Sequence, residues 1–473
     1  MATQHEELDP SVLRGLGVAN QASMKSLSEH VYEAFEDEEE LADSFQTGAV
    51  IRQRPQFTRI PKHDVFEDVA FMVAEHLINV KMTPNWVAYI FGNRYISQEI
   101  KQLGLDEKQP FVEGIYDTVD TSSLCKKLMN GIPSFAEKIL KKELPDTDLP
   151  REWLQFPVSN DSRKGKRKSQ EDRYISMPTL KLVFPDTPRS DVGLFGVFDG
   201  HNGAECSTYS AAHLATEFND VLKQNAEGKR SLEESLQTSV VRLEHRLFVR
   251  CDKEQWRSGS TAVVMAVDND EMSFAWLGDS AAFILKSSSL CQRQVDKITV
   301  DHSTSNKSEA ERVEADGGQL LYIGGELRVN GVLNVTRALG DIGGRPMVSG
   351  APEMKTLKRS VDDYLVLLVC DGITDAFDNE NLFQIVEAFV NDNPLEDYEE
   401  LAQYICMNAI RNHSEDNVTC IAVYLKHPAE LWKLLKITDS EDEEEENGGS
   451  LQNSVNDQSS RDSEEENKEN KNE

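Results

Sequence analysis

The sequence predicts an α+β protein: sheet layers covered by helices, preceded by an all-helical domain and followed by a disordered acidic tail. Three observations carry this. Short runs rich in Val, Leu, Ile and Phe, such as GLFGVFD (193–199), TAVVMAV (261–267) and YLVLLVCD (364–371), alternate with longer helical patterns. Runs so short and apolar suit buried strands rather than buried helices. Residues 61–145 instead place apolar side chains at three- and four-residue steps, and from Asp439 onward the chain is almost wholly Glu, Asp, Asn and Ser.

Taken in order, residues 1–60 are polar, with an acidic run at Glu36 to Glu40, and are expected to be partly flexible. Val65, Val69, Met72, Val73, His76, Leu77 and Val80 then fall on one helical face, which marks residues 61–150 as a helical domain with His76 in its core, read as a regulatory or docking domain over a stabilising appendage. Pro145, Pro150 and Pro157 punctuate its exit. The strand-like texture spans 155–430, adding SFAWLG (273–278) and NVTCIAVYL (417–425), with helices expected at 204–225, 231–251, 307–315 and 380–412. The tail, 437–473, cannot bury enough apolar surface to offset chain entropy.

Composition narrows the function. The formal net charge of −33 opposes general binding to nucleic acid or anionic membrane. Seven dispersed cysteines without a CxxC pair argue against a disulfide framework or a structural zinc site. No signal peptide opens the chain, and no apolar run nears the roughly 20 residues needed to cross a bilayer. These features predict a cytoplasmic protein, with nuclear residence also open, since Arg163 to Lys168 forms a basic cluster. That cluster equally suits a solvated loop or a strip that steers phosphorylated substrate.

The chemistry sits at strand ends. Asp199-Gly200-His201, Asp279-Ser280 and Asp371-Gly372 each follow a strand-like run, and Glu171-Asp172 and Asp416-Asn417 add carboxylates beside others. Aspartates at a sheet rim can converge, and a glycine beside them lets backbone come close to a ligand. Converging carboxylates without a His or Cys cluster suit hard cations such as Mg²⁺ or Mn²⁺ better than zinc.

FGVFDGHNG (195–203), SGSTAV (258–263), WLGDSAAFIL (276–285), RVNGVLNVTRALGD (328–341), LVCDGITDAF (368–377) and SEDNVTCIAV (414–423) resemble the successive signatures of the PP2C (PPM) phosphatases, in family order and spacing. The resemblance covers about 155–430 and implies a β-sandwich flanked by helices on both faces. It implies a protein serine/threonine phosphatase with two catalytic Mg²⁺ or Mn²⁺ ions and a third, weaker metal position. Asp199 would bridge the two ions, with the Gly200 carbonyl, Glu171, Asp371 and Asp416 completing their ligands. Asp279, with Asp371, matches the third position. Arg167 would hold the substrate phosphate and His201 would be the general acid. Asn202 and Thr374 depart from the family pattern, but neither is an expected ligand.

RLEHRLFVRCDKEQWRSGST and VYLKHPAELW further resemble the branch of the calmodulin-dependent-kinase phosphatases, or partners of PIX, with which the nematode sex-determination phosphatase groups. The branch implies phosphorylated kinases or signalling proteins as substrates and regulatory partners bound through 61–150. A rival reading keeps the fold as a catalytically weak scaffold acting through its N-terminal domain. The intact ligand set speaks against it. A metal-dependent nucleotide or nucleic-acid hydrolase is disfavoured by motif order and net charge.

Overall fold

A computed structural model describes residues 27–35, 58–101, 108–141, 143, 156–225, 230–287 and 293–436. The expected tail, 437–473, and most of 1–60 lie outside the described residues. The chain divides into two units, Met1–Leu435 and Lys436–Glu473; everything below concerns the first.

Helix α1 (Leu27–Phe35) falls within the segment expected to be partly flexible. α2 (Val65–Lys81), α3 (Asn85–Glu99) and α4 (Thr121–Leu140) form the helical layer, and α2 stops at Met82, which adopts the left-handed conformation two residues before Pro84. The layer is not purely helical. Strands β1 (Arg59–Pro61) and β2 (Thr118–Asp120) pair antiparallel within it, each three residues long and too short to show a period of two in the sequence.

Two five-stranded antiparallel sheets follow. One runs in the order β9 (Gln294–Lys297), β8 (Ala281–Lys286), β13 (Asp363–Val369), β14 (Val418–Tyr424), β3 (Val158–Arg163). The other runs β12 (Glu353–Lys358), β7 (Glu271–Leu277), β6 (Ala262–Val267), β5 (Gly193–Phe198), β4 (Arg173–Met177). A hairpin of β10 (Leu320–Ile323) and β11 (Glu326–Val329), preceded by helix α7 (Lys307–Ala315), stands apart from both.

The alternation along β6 shows why this is a sandwich covered by helices. Val263, Met265 and Val267 enter the core between the sheets with Phe274, Leu367 and Val423. Ala262, Val264 and Ala266 point the other way and join the core beneath α5 (Glu205–Gln224) and α6 (Leu232–Glu254). A strand buried on both faces reads as an unbroken apolar run, which is how TAVVMAV looks. The opposite sheet is covered by α9 (Asn379–Asp392), α10 (Leu401–Arg411) and α11 (Pro428–Leu435). The helix expected over 380–412 is two helices: Pro394 lacks the amide the helix needs, and a short 3-10 turn, Leu395–Glu400, intervenes.

The helical layer shares its core with the sandwich. Val69, Phe71, Tyr89 and Ile90 lie in one continuous apolar cluster with Met177, Leu180, Tyr209 and Leu214. Polar groups are buried at the same boundary. Asp64 and Asp68 at the start of α2 receive hydrogen bonds from Arg246 and Arg250 of α6, and Asp68 also meets His213 of α5 at 2.9 Å. The capping box of Ser231 and Glu234 fixes where α6 begins, and so the phase in which Arg246 and Arg250 face α2.

Candidate active site

The acidic residues meet because strands from both sheets end at one rim. β5 stops at Phe198, so Asp199 is the first residue beyond it; β13 stops at Val369, and Asp371 opens a one-turn helix, α8 (Asp371–Thr374). Asp416 stands two residues before β14, Glu171 two before β4, and Asp279 in the turn joining β7 to β8. β13 and β14 are neighbours in one sheet and β4 and β5 in the other, so the five carboxylates arrive from both layers.

Glycine lets these segments touch. A Cβ on Gly200 would stand 2.5 Å from the Glu171 carbonyl oxygen, and one on Gly372 would overlap that of Asn417. The glycines after Asp199 and Asp371 therefore serve the chain's own backbone, drawing the Glu171 and Asn417 segments onto the two aspartates. Asn417 fastens the arrangement. Its side chain accepts from the Glu171 amide at 2.8 Å and donates to the carbonyls of Lys164 and Ser169 at 2.9 and 3.0 Å. Thr261 does the same on the other flank. Its amide donates to the Asp199 carbonyl at 2.8 Å and its hydroxyl meets Ser280 Oγ at 2.6 Å, tying the Asp199 and Asp279 loops together.

Donor atoms of Asp199, Cys370 and Asp371 lie within 4.8 Å of one another. Cys370 is buried, with its proton affinity pushed well up by that burial and by Asp172, and it takes part in hydrogen bonds with Asn417 and Thr419; it remains a thiol. The carboxylates are the chemically available donors. Burial, then Asp371 and Asp172, hold the Asp199 carboxyl far above its ordinary value. Burial, then Asp279 and Asp416, push Asp371 up to about 8. Burial, then Asp301, raises Asp279 to about 6. No ion pair to Asp199 or Asp371 exists among the described residues, and the buried Asp371 Oδ1 has no hydrogen-bond partner. Hard oxygen donors, mutually repelling and aimed together, fit divalent cations of the Mg²⁺ and Mn²⁺ kind.

His201, just past Asp199, places Nε2 2.7 Å from Asp341 Oδ2. Burial alone would lower its proton affinity, but Asp341 outweighs this and the ring titrates above its ordinary value. Glu171 takes a hydrogen bond from the Gly203 amide at 3.1 Å, and another from Ser169 Oγ at 2.7 Å. Arg167, exposed at the rim, rests 2.5 Å from Asp416 Oδ2. Arg167, Glu171, Asp199, Gly200, His201, Asp279, Asp371 and Asp416 thus lie on this rim or beside it. By contrast His302 is buried, stacked on Trp276 and 2.9 Å from Glu353.

Sequence reasoning gave three contributors no role. Asp341 ends the RALGD run and adopts a left-handed backbone, φ 43°, but only the fold brings it to His201 from 140 residues away. Asp172 is buried behind Glu171, accepting from Thr419 Oγ1 at 2.6 Å, with its carboxyl raised to about 6 by burial. Asn417 looked like a mere neighbour of Asp416. The one available signal was position: each adjoins or closes a motif already recognised.

The protein phosphatase 2C family profile matches residues 157–418. A solved structure described as a C. elegans sex determining protein superimposes with a TM-score of 0.76 at 38% identity, over 87% of this chain and 98% of that one. Serine-threonine phosphatase 2C from Toxoplasma gondii shares the fold, with a TM-score of 0.51 at 21% identity over 57% of this chain and 95% of that one. Fold and match together define a serine/threonine protein phosphatase. Protein phosphatase fem-2 of Caenorhabditis elegans is 40% identical over 436 residues, 89% of this chain and 94% of the relative. Human protein phosphatase 1F is 28% identical over 314 residues, 66% of each. The chain belongs to the protein phosphatase 2C family.

Proposed function

We propose that the chain hydrolyses phosphoserine and phosphothreonine in proteins at the rim built by Asp199, Asp371, Asp416, Glu171 and Asp279. The observation that carries this is the pair Asp199 and Asp371: half-buried, repelling, and within 4.8 Å through their donor atoms. With the Gly200 carbonyl, these side chains would hold two Mg²⁺ or Mn²⁺ ions, and Asp279 with Asp371 a third. The chemistry such cations supply when bound is activation of water near neutral pH and neutralisation of phosphoryl charge.

The chain's own groups do the rest. Arg167 binds the phosphoryl oxygens, moving from Asp416, and its planar fork matches two of them at once. Asp341 holds His201 Nε2–H, which leaves Nδ1 as the position that gives a proton to the departing serine or threonine oxygen. Substrates in this reading are phosphorylated kinases and other signalling proteins. Regulatory proteins bind the helical layer, which exposes apolar side chains at Val80, Met82, Val112 and Ile115.

The test is phosphate release from a phosphothreonine peptide. It should require Mn²⁺ or Mg²⁺ and fall by a factor on the order of 10²–10³ in His201→Ala. Full activity in the presence of a chelator would refute the reading.

A further inference from the structure

Away from the catalytic rim, an open cleft of about 1340 Å³ separates α1 to α3 from the edge strands β3 and β4 and the turn at 395–399. Its lining carries six carboxylates, those of Glu33, Glu75, Asp161, Asp172, Glu396 and Glu399, against one arginine, Arg173, which is already 2.8 Å from Glu75. Acidity alone would be unremarkable in so acidic a chain. The second observation is inside the cleft. Asn85 Oδ1 and Thr83 Oγ1, on residues only 5% and 8% exposed, line it without a hydrogen-bond partner. A buried acceptor left unpaired costs roughly 1–3 kcal/mol, so such groups point to a donor that arrives from elsewhere. Trp86 and Tyr174 add aromatic surface to the same wall, and aromatic faces attract cations.

We infer that this cleft receives an arginine-bearing, basic peptide segment of a partner protein, with a guanidinium donating to Asn85 and Thr83 and the carboxylates answering the remaining charge. Arginine fits better than lysine. Its planar fork offers five donors, enough to reach the two unpaired acceptors and a carboxylate together, and it stacks on aromatic rings. The cleft also lies against the catalytic loop from behind, since Gln170 and Asp172 line it on either side of Glu171. An occupant would touch the backbone that positions that carboxylate.

The test reads binding, so it is independent of the catalytic reading. The probe is a fluorescein-labelled Gly/Ser peptide carrying three arginines, titrated onto the full chain at physiological salt, beside its Arg→Lys and Arg→Gln counterparts. The expected result is saturable binding of the arginine peptide, weaker by fivefold or more for lysine and absent for glutamine. Thr83→Val with Glu396→Gln should weaken it at least tenfold. Glu396 is exposed and Thr83→Val is nearly isosteric, so unchanged melting would verify the fold. Displacement by a second, unlabelled arginine peptide with no effect of equimolar spermine confirms a peptide occupant. Equal binding of the lysine and arginine peptides, displacement by spermine at the same concentration, or indifference to the double variant would each overturn the proposal.

Discussion

Two clusters of carboxylates, one buried and one half-buried, built from the same residue type, have opposite electrostatics. At the boundary of α2 with α5 and α6, burial alone would raise the Asp64 carboxyl, but His213, Arg250 and Arg246 pull it below its ordinary value. At the rim no cationic side chain among the described residues pairs with Asp199 or Asp371, and both are driven up. The first cluster is complete within the polypeptide and joins two layers. The second is left short of positive charge, which suits it to cations from outside. Buried acids thus declare their role by what faces them, rather than by burial itself.

The largest expected effect breaks the first cluster. Arg250→Met strands Asp64 and Asp68 without their shared partner and should cost about 3–5 kcal/mol in denaturant unfolding. A loss under 1 kcal/mol would mean the network is not what binds the layers. At the rim the same logic runs backwards. Asp199→Asn should lower phosphate release by a factor on the order of 10²–10³, yet leave the melting temperature of the metal-free protein unchanged or higher, because a repulsion has gone. A destabilised, metal-free Asp199→Asn would contradict the comparison.

Cation addition sharpens it. Mn²⁺ at about 100 times its Kd should stabilise the wild type by about 2.7 kcal/mol and Asp199→Asn by much less, as read by thermal shift. The smallest effect concerns a third carboxylate. Despite its burial, hydrogen bonds from Arg337 and Arg312 bring the Glu309 carboxyl down to about 2. Its folded value lies below the unfolded one near 4.3, so its stabilisation is full above that value and is lost as pH falls toward 2. Glu309→Gln should remove roughly 1–3 kcal/mol of that acid-sensitive stability between these limits, leaving the slope there flatter than in the wild type. An unchanged slope would show that its arginines do not compensate it.

Much of this was legible in the chain. DGH, GDS, CDG and EDN sit beside strand runs that burial on both faces makes continuously apolar, so Asp199, Asp279, Asp371 and Asp416 stand out in the sequence alone. β3 and β12 escaped notice because VSNDSR and EMKTLK, on the outer strands of their sheets, are half-polar and lack that signal. The β1–β2 pair escaped because three residues hold no period.

By itself the sequence determined which residue types end the strands, how the apolar runs alternate with helices, and that the carboxylates outnumber any local cation. Tertiary structure alone decided which acids acquire partners. Asp341 reaches His201 and Asp64 reaches Arg250 across 140 and 186 positions, and Asp199 meets Asp371 across a gap of similar scale. Electrostatic energy depends on separation in space, and one-dimensional order does not contain it.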